Sequence, residues 1–162
     1  NNLKPRLKRS GLSNLYPQRI ANENDIKVKR LAGKIDRVLV DAPCSRLGTL
    51  RRNPDLKWRQ SPQGIEELKR KQAAILSAAA TLLKPGGRLI YATCSFLPEE
   101  NREIVDRFIA SHSQFILLNC AEILMQQKIP LDTGTYLQLL PHLHGTDGFF
   151  AAALELVKRK NP

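Results

Sequence analysis

The sequence has few of the features that mark membrane, secreted or metal-binding proteins. No apolar run approaches the roughly 20 residues that a membrane-spanning helix needs, so no such helix is predicted. The three cysteines, Cys44, Cys94 and Cys120, form no C-x-x-C pair, and the histidines stand at no zinc-ligand spacing from them. So small and odd-numbered a set of cysteines argues against a disulfide framework and favours a reducing, cytoplasmic compartment.

Acidic residues are also scarce relative to basic ones. The 162 residues include 26 Lys and Arg against 15 Asp and Glu, which gives a formal net charge of +11. Such a charge can serve solubility alone, but a polyanionic partner explains it better. Hydrophobic residues make up 42% of the chain, enough for one globular core. The sequence leaves the oligomeric state open.

The hydrophobic pattern alternates between short strand-like runs and longer helical ones. Residues 36–41 contain a short apolar run that ends at Asp41, as is typical of a buried parallel strand, and residues 63–84 carry a helical stripe interrupted only by Gln72. This alternation predicts an α/β fold with parallel pairing at its centre. The predicted elements in chain order are helix 1–11, strand 15–20, strand 36–41, loop 42–62, helix 63–84 ended by residues 85–87, strand 88–93, a helix opened at Pro98, strand 115–118, helix 121–127 and strands 136–140 and 149–157.

Two of the cysteines follow predicted strands at equivalent positions. One strand leads into Asp41 and then Cys44, and another leads directly into Cys94. Because ligands of open α/β sheets bind beyond the carboxyl ends of the strands, both thiols and the carboxylate are expected on one rim. A nucleophile beside an acidic positioning group has this arrangement. The alternative is that both cysteines are structural, and Cys120 is interpreted as an ordinary core or surface residue.

The two cysteines lie in distinctive sequence motifs, and further motifs follow along the chain. They are DAPCS at 41–45 with residues 48–58, KPGG at 84–87, YATCS at 91–95 with PEEN at 98–101, and HGTDGFF at 144–150. In sequence and order these motifs resemble those of the Sun-type RNA cytosine-5 methyltransferases, and the resemblance covers nearly the whole chain. A Lys-Pro-Gly-Gly segment is also common in S-adenosylmethionine-dependent methyltransferases generally.

The resemblance implies a Rossmann-like methyltransferase fold, with a mostly parallel sheet and a C-terminal antiparallel strand. The family's glycine-rich cofactor loop lies upstream of the matching region. Residues 1–162 therefore resemble the C-terminal portion of a single catalytic domain whose N-terminal βα units are missing, and we expect this stretch alone to be inactive. One departure within it is Arg46, which stands where the family commonly has a small residue, often Gly.

The resemblance also implies roles for single residues. In the family a thiolate adds to carbon 6 of cytosine, and carbon 5 then accepts the methyl group of S-adenosylmethionine. Cys94 matches the attacking thiolate and Cys44 the thiol that assists product release, although the DNA-modifying relatives use the Pro-Cys cysteine, so exchanged roles stay open. Asp41 would hold the cytosine edge or the cofactor. Asp25 and Pro43 are further cofactor candidates, with a loop or helix-cap role as the alternative for Asp25.

The loop after the first of these cysteines is strongly basic. An accessible cytosine lies in single-stranded or flipped-out RNA, whose phosphates such a loop would contact. The alternative is a solvated basic surface. Trp58 either stacks on a base or packs inward, and the inward position is favoured. The candidate RNA contacts are Arg46, Arg51, Arg52, Lys57 and Arg59.

The preferred function is a methyltransferase acting on cytosine in RNA, with ribosomal RNA as the first substrate class and transfer RNA as the second. The alternatives are a non-catalytic RNA-binding fragment of the same fold and a structural fragment. Two thiols and a carboxylate at strand ends favour the enzyme, because a binding module does not need them. No metal is predicted, and His142 and His144 are interpreted as turn or packing residues.

Overall fold

A computed structural model describes residues 3–131 and 133–158. In these ranges helices alternate with the strands of one sheet. The strands are β1 (Ile35–Asp41), β2 (Leu83–Thr93), β3 (Phe115–Leu118), β4 (Leu137–Leu139) and β5 (Phe149–Leu156). The helices are α1 (Leu3–Ser10), α2 (Ile26–Lys29), α3 (Leu56–Arg59), α4 (Pro62–Ala80), α5 (Arg102–Ser111), α6 (Cys120–Gln126) and α7 (Pro141–His144), with 3₁₀ turns at Leu47–Thr49 and Pro98–Glu100.

The sheet has the strand order β1-β2-β5-β3, and β4 also pairs with β5. β1 and β2 are parallel, whereas β5 runs antiparallel to β2, β3 and β4. Among the described strands, β5 thus runs against the direction of the other four. The predicted mostly parallel sheet with a C-terminal antiparallel strand is confirmed. The parallel pairing predicted at the centre is wrong, because β5 lies between β2 and β3 and leaves β1–β2, at one edge, as the parallel pair among the described strands.

The hydrophobic core involves the sheet together with helices α4 and α5. Leu76 of α4, Val105 of α5 and Leu89 of β2 are all fully buried within it. Burying an aliphatic side chain of this kind contributes about 1.5–3 kcal/mol each. The edge strand β1 differs, since Val40 is buried while Leu39, which points to the opposite face, is 68% exposed.

Some predicted boundaries are wrong. Residues 15–20 are irregular and exposed rather than a strand, because Pro17 cannot donate a ladder bond and none of the described strands pairs with them. The loop predicted over 42–62 contains a 3₁₀ turn and α3. The helix expected at Pro98 begins as a 3₁₀ turn, and α5 starts only at Arg102. The predicted helix 1–11 corresponds to α1, with residues 1 and 2 outside the described ranges.

Helix α4 ends at Ala80 rather than at residue 84. The reason is that Leu83 already pairs with Ile35 in the sheet, so the chain must leave the helix earlier. Two residue steps take β1 from Ile35 to Arg37, but five take β2 from Leu83 to Arg88. The Lys-Pro-Gly-Gly segment is therefore a bulge within β2 and not the stop of α4. None of the helices in the described ranges is long and apolar enough to cross a membrane.

Candidate active site

Strands β1 and β2 bring two cysteines to one edge of the sheet. Cys94 directly follows β2, and Cys44 lies three residues beyond Asp41, the last residue of β1. The parallel register pairs Asp41 with Ala92, so the two strands end at the same level. The Sγ atoms of Cys44 and Cys94 are 3.5 Å apart, and both thiols are half-buried and free of disulfides. The structure thus brings the two thiols together as predicted.

A buried carboxylate joins the two cysteine turns. Glu100 Oε2 accepts hydrogen bonds from Ser45 Oγ at 2.5 Å and from Ser95 Oγ at 2.6 Å. Its Oε1 accepts from the Ser45 backbone N–H at 2.8 Å and from Gln72 Nε2 at 3.0 Å. These four bonds use about the full acceptor capacity of an ionised carboxylate. Each serine directly follows one of the cysteines, so one side chain holds the residues next to both thiols.

Gln72 connects helix α4 to the same cluster. Its Nε2 also donates to the carbonyl oxygen of Pro43 at 2.9 Å, and the residue is fully buried. The polar interruption of the apolar stripe of α4 is therefore part of the site. It holds the backbone of the residue just before Cys44.

The Cys94 turn has its own set of hydrogen bonds. Thr93 Oγ1 donates to Asn101 Oδ1 at 2.6 Å, and Asn101 Nδ2 donates to the Ser95 carbonyl oxygen at 2.9 Å. The Ser95 N–H donates to Thr93 Oγ1 at 3.2 Å. The backbone is thus bonded on both sides of Cys94. The α-helix that follows this turn starts at Arg102, beyond the 3₁₀ turn.

The environment of Cys44 disfavours its thiolate. Burial is the main cause that raises the pKa of the Cys44 thiol, and the Cys94 sulfur adds to it, bringing the pKa to about 12. Cys44 therefore stays protonated at neutral pH. Its S–H can donate to Cys94 across the 3.5 Å between the two sulfurs.

Asp41 and Pro43 open onto a shared cavity of about 490 Å³. Ala21 and Asn22 line one part of it, and apolar side chains such as Ile75 line another. The Asp41 side chain is exposed, and none of the described residues donates a hydrogen bond to it. This carboxylate is therefore available to a cationic or N–H donor of a ligand.

Asp25 lies outside that cavity, at the N-cap of α2. Its Oδ1 accepts from the Lys27 N–H and its Oδ2 from the Ala21 N–H, each at 2.9 Å. These backbone bonds lower the pKa of Asp25. The residue acts as the helix cap considered among the sequence alternatives, and its role toward a cofactor stays a prediction.

Arg46 adopts an unusual backbone conformation just after the Cys44–Ser45 pair. Its φ of 63° and ψ of 15° place it in the left-handed region, where glycine is favoured. This explains why the family commonly has a small residue, often glycine, at this position. The conformation is kept although arginine carries a Cβ, and its side chain is exposed.

Two glycines join the Cys44 turn to the HGTDGFF segment at 144–150. The Gly48 N–H donates to the Cys94 carbonyl oxygen at 3.0 Å, and the Gly148 N–H donates to the Gly48 carbonyl oxygen at 2.8 Å. A Cβ on Gly48 would overlap the Gly148 carbonyl oxygen and lie 2.8 Å from that of Cys94. Only glycine permits this close approach of three backbone segments.

Two of the candidate RNA contacts pair with an acid from the same C-terminal segment. Asp147 forms an ion pair with Arg52 and lies 3.9 Å from Arg51. The arginine side chains are 67% and 58% exposed, so these pairs contribute little to stability. They fix where the guanidinium groups stand and leave much of each group accessible to a phosphate.

The other candidate RNA contacts lie on or beside α3. The prediction that Trp58 packs inward is wrong, since its side chain is 80% exposed and Leu56 provides the buried contact of this short helix. Lys57 Nζ lies 4.8 Å from the centroid of the Trp58 ring, and Arg59 pairs with Asp55 at 2.6 Å. An exposed aromatic ring beside cations suits stacking on a base.

Sequence reasoning missed the role of Glu100 and its two serine partners. The signals were present, because Gln72 interrupts an apolar stripe and each cysteine is followed by a serine. Their meaning depends on segments that are distant along the chain. Within the described ranges, no three His, Cys, Asp or Glu side chains form a group that could hold a metal ion.

The family model described as 16S rRNA methyltransferase RsmB/F matches residues 1–155. The chain belongs to the RsmB/F family. The Sun-type resemblance of the cysteine motifs is thereby confirmed. The expected Rossmann-like methyltransferase fold is confirmed by structural neighbours, among them NSun6 from Pyrococcus horikoshii.

Several proteins are similar to this chain in sequence or in fold. The probable ribosomal RNA small subunit methyltransferase B of Synechocystis sp. is 45% identical over 121 residues, which are 75% of this chain and 27% of the relative. The ribosomal RNA small subunit methyltransferase B of Shewanella oneidensis matches with the same identity and coverage. The crystal structure of NSun6 from Pyrococcus horikoshii with SFG superimposes with a TM-score of 0.78 at 31% identity, over 96% of this chain and 38% of that one. The matched region thus spans about a quarter of the length of the curated relatives.

Proposed function

We propose that this chain carries the thiol chemistry of a methyltransferase that modifies carbon 5 of cytosine in ribosomal RNA. The observation that carries the proposal is the pair of thiols 3.5 Å apart at the ends of adjacent parallel strands, in a member of the RsmB/F family. The family description names 16S rRNA, which favours ribosomal over transfer RNA. A non-catalytic RNA-binding fragment would leave the thiol pair and its buried support without a purpose.

Cys94 is the nucleophile in this proposal. Its thiolate adds to carbon 6 of cytosine, and the electron pair of the 5,6 double bond moves toward carbon 5. S-adenosylmethionine, when bound, supplies the methyl group that carbon 5 takes up. A base then removes the carbon 5 proton, the double bond re-forms, and the bond from sulfur to carbon 6 breaks so that Cys94 leaves as a thiolate.

Cys44 has the complementary role. Its raised pKa keeps it protonated at neutral pH, so it does not compete as the attacking thiolate. As an S–H donor beside Cys94 it stabilises the negative charge on the other sulfur. After methyl transfer it assists elimination from the adduct, as the resemblance implies.

The residues at the rim fit one end of a cofactor. Asp41 offers a carboxylate that accepts no hydrogen bond from the described residues, and it lines a cavity together with Pro43, the residue just before Cys44. The neighbouring structure of NSun6 was solved with SFG, an S-adenosylmethionine analogue. We therefore assign Asp41 to the cytosine edge or the methionine end of the cofactor and Pro43 to the cofactor wall. Asp25, which lies outside this cavity, is assigned to the adenine side on the family resemblance alone.

RNA binding is assigned to the exposed basic loop. Arg51 and Arg52 are oriented by Asp147, and Lys57 stands over the exposed ring of Trp58. Together with Arg46 and Arg59 they offer positive charge near the thiols. Because such contacts release counterions, binding should weaken steeply as the salt concentration rises.

The test uses the full-length protein, 16S rRNA and labelled S-adenosylmethionine. The Cys94→Ala variant should lose methyl transfer completely, whereas Cys44→Ala should accumulate a covalent RNA adduct on a denaturing gel. Cys120→Ala is the matched control, because the Cys120 sulfur is directed at the Ala151 carbonyl oxygen and not at either thiol of the pair. An adduct in the Cys94 variant instead would reverse the two roles.

A further inference from the structure

We propose that Glu100 is a positioning residue that sets the relative placement of the two active-site thiols. Its effect on catalysis rests on the proposed function, while its effect on the thiols themselves can be measured without it. Glu100 is fully buried, so it cannot touch RNA or a cofactor. It must act through the turns that it joins.

The two cysteine turns are built alike around this carboxylate. After Cys44, the Ser45 hydroxyl donates to Glu100 Oε2 and accepts from the Leu47 N–H at 3.4 Å. After Cys94, the Ser95 hydroxyl donates to the same oxygen and accepts from the Leu97 N–H at 3.1 Å. Each hydroxyl has one proton, and Glu100 takes both. The carboxylate thereby orients both hydroxyls as acceptors for their own turns.

This shared oxygen also sets a distance. The two serine Oγ atoms are held 3.2 Å apart by Glu100 Oε2, and the sulfurs of the preceding cysteines are 3.5 Å apart. The third serine contact, from the Ser45 N–H to Glu100 Oε1, fixes the backbone directly after Cys44. Each serine directly follows its cysteine, so the distance between the two serine hydroxyls constrains the distance between the two thiols.

The proposed reaction needs this spacing. Cys94 adds to carbon 6 and later leaves it, and the Cys44 S–H stabilises the Cys94 sulfur in both steps, so the two sulfurs must stay within hydrogen-bond reach of each other. A misplacement of about 1 Å can cost on the order of 100-fold in rate. Replacing Glu100 by Gln keeps the shape but puts an N–H₂ donor at one of the two oxygen positions, against either the two hydroxyls or the Ser45 N–H and Gln72 Nε2. In either orientation two of the four donors lose their acceptor, so the turns are no longer held by all four bonds.

Two measurements on the full-length protein test the proposal. The first compares kcat and KM of Glu100→Gln with wild type, and we expect kcat to fall at least about tenfold with the KM values for RNA and S-adenosylmethionine unchanged. The second measures binding of phenylarsine oxide, a trivalent arsenical that bridges closely spaced thiols, which should weaken at least about tenfold. Glu103→Gln is the matched control, because this acid lies three residues on and pairs with Arg107 at the surface. It should leave both measurements unchanged.

The outcomes separate the possible roles. If Glu100→Gln is folded and keeps both kcat and arsenical binding within twofold of wild type, the positioning role is overturned. It is also overturned if activity falls only in proportion to the unfolded fraction seen by thermal melting. If this variant does not fold, Ser45→Ala and Ser95→Ala remove one hydroxyl each and should each weaken arsenical binding. If wild type transfers no methyl group, the proposed function fails, while arsenical binding still decides the positioning of the thiols.

Discussion

The turns that carry Cys44 and Cys94 have the same plan in different surroundings. Both come after parallel strands, and both place a serine against Glu100 Oε2. The Cys94 turn is also bonded to Thr93 and Asn101, which hold it from both sides. The Cys44 turn instead continues into a left-handed residue and then into the exposed basic loop.

Under the proposed function, this difference would separate the thiol chemistry from the RNA contacts. Hydrogen bonds within the protein hold the residues on either side of Cys94, as the proposed nucleophile requires. The Cys44 turn connects the thiol pair to the exposed basic loop. Two equivalent strand ends thus differ because the chain continues differently beyond each of them.

The largest expected effect comes from breaking the link between the two turns. Gly48→Ala should destabilise the protein by about 3 kcal/mol, because its Cβ would collide with backbone carbonyl groups that cannot move aside easily. Urea unfolding measures the loss. Gly64→Ala in the first turn of α4 is the control, since its Cβ would meet only the Ser61 hydroxyl at 3.2 Å. Equal stability of the two variants would contradict the close junction at Gly48.

A second prediction concerns the pH at which the Cys44 thiol becomes reactive. Raising a pKa lowers the thiolate fraction at any given pH, so Cys44 should react with iodoacetamide only at a pH well above the ~8.5 of an ordinary thiol. Mass spectrometry of the labelled peptide follows the reaction from pH 6 to pH 11. Cys94→Ala should bring the onset down only in part, because burial is the larger cause. Rapid labelling of Cys44 at neutral pH would refute this account.

The smallest effect tests the left-handed residue of the Cys44 turn. Arg46→Gly should stabilise the protein by about 1 kcal/mol by removing backbone strain, and it should reduce the salt dependence of RNA binding by about one phosphate contact. Urea unfolding and RNA titrations at several salt concentrations measure the two effects. Lys128→Gly is the control, because Lys128 also has a positive φ, of 59°, beyond the end of α6. The Lys128→Gly variant should gain stability without changing RNA binding. A loss of stability in Arg46→Gly would contradict the claim that the backbone at Arg46 is strained.

Much of the fold could be predicted because its cause is local. The apolar runs of β1 and β2 and the stripe of α4 follow from periodicity, and the two strand ends located the thiols. The strand predicted over residues 15–20 was wrong because a strand needs a pairing partner, and no local pattern shows whether one is present. The predicted end of α4 was wrong because the pairing of Leu83 with Ile35 in the sheet outweighs the helix propensity of the last residues.

The site could be predicted only in part, because contacts between segments that are distant along the chain do not follow from local patterns. Cys44, Cys94 and Asp41 stand at strand ends and carry recognisable chemistry. Glu100 was assigned only to the first turn of a helix, because its four donors come from residues 45, 72 and 95. Trp58 was predicted to pack inward, but Leu56 fills the buried position of α3.

The amino-acid sequence by itself determined the alternation of strands and helices, the two cysteine motifs and the excess of positive charge, since each depends on residues close together in the chain. Only the tertiary structure decided that the two sulfurs stand 3.5 Å apart, that β5 lies between β2 and β3, and that one buried carboxylate serves both turns. Those features depend on contacts between segments that are distant along the chain. Their energy arises only when the folded sheet and α4 bring the partners together and exclude water from around them.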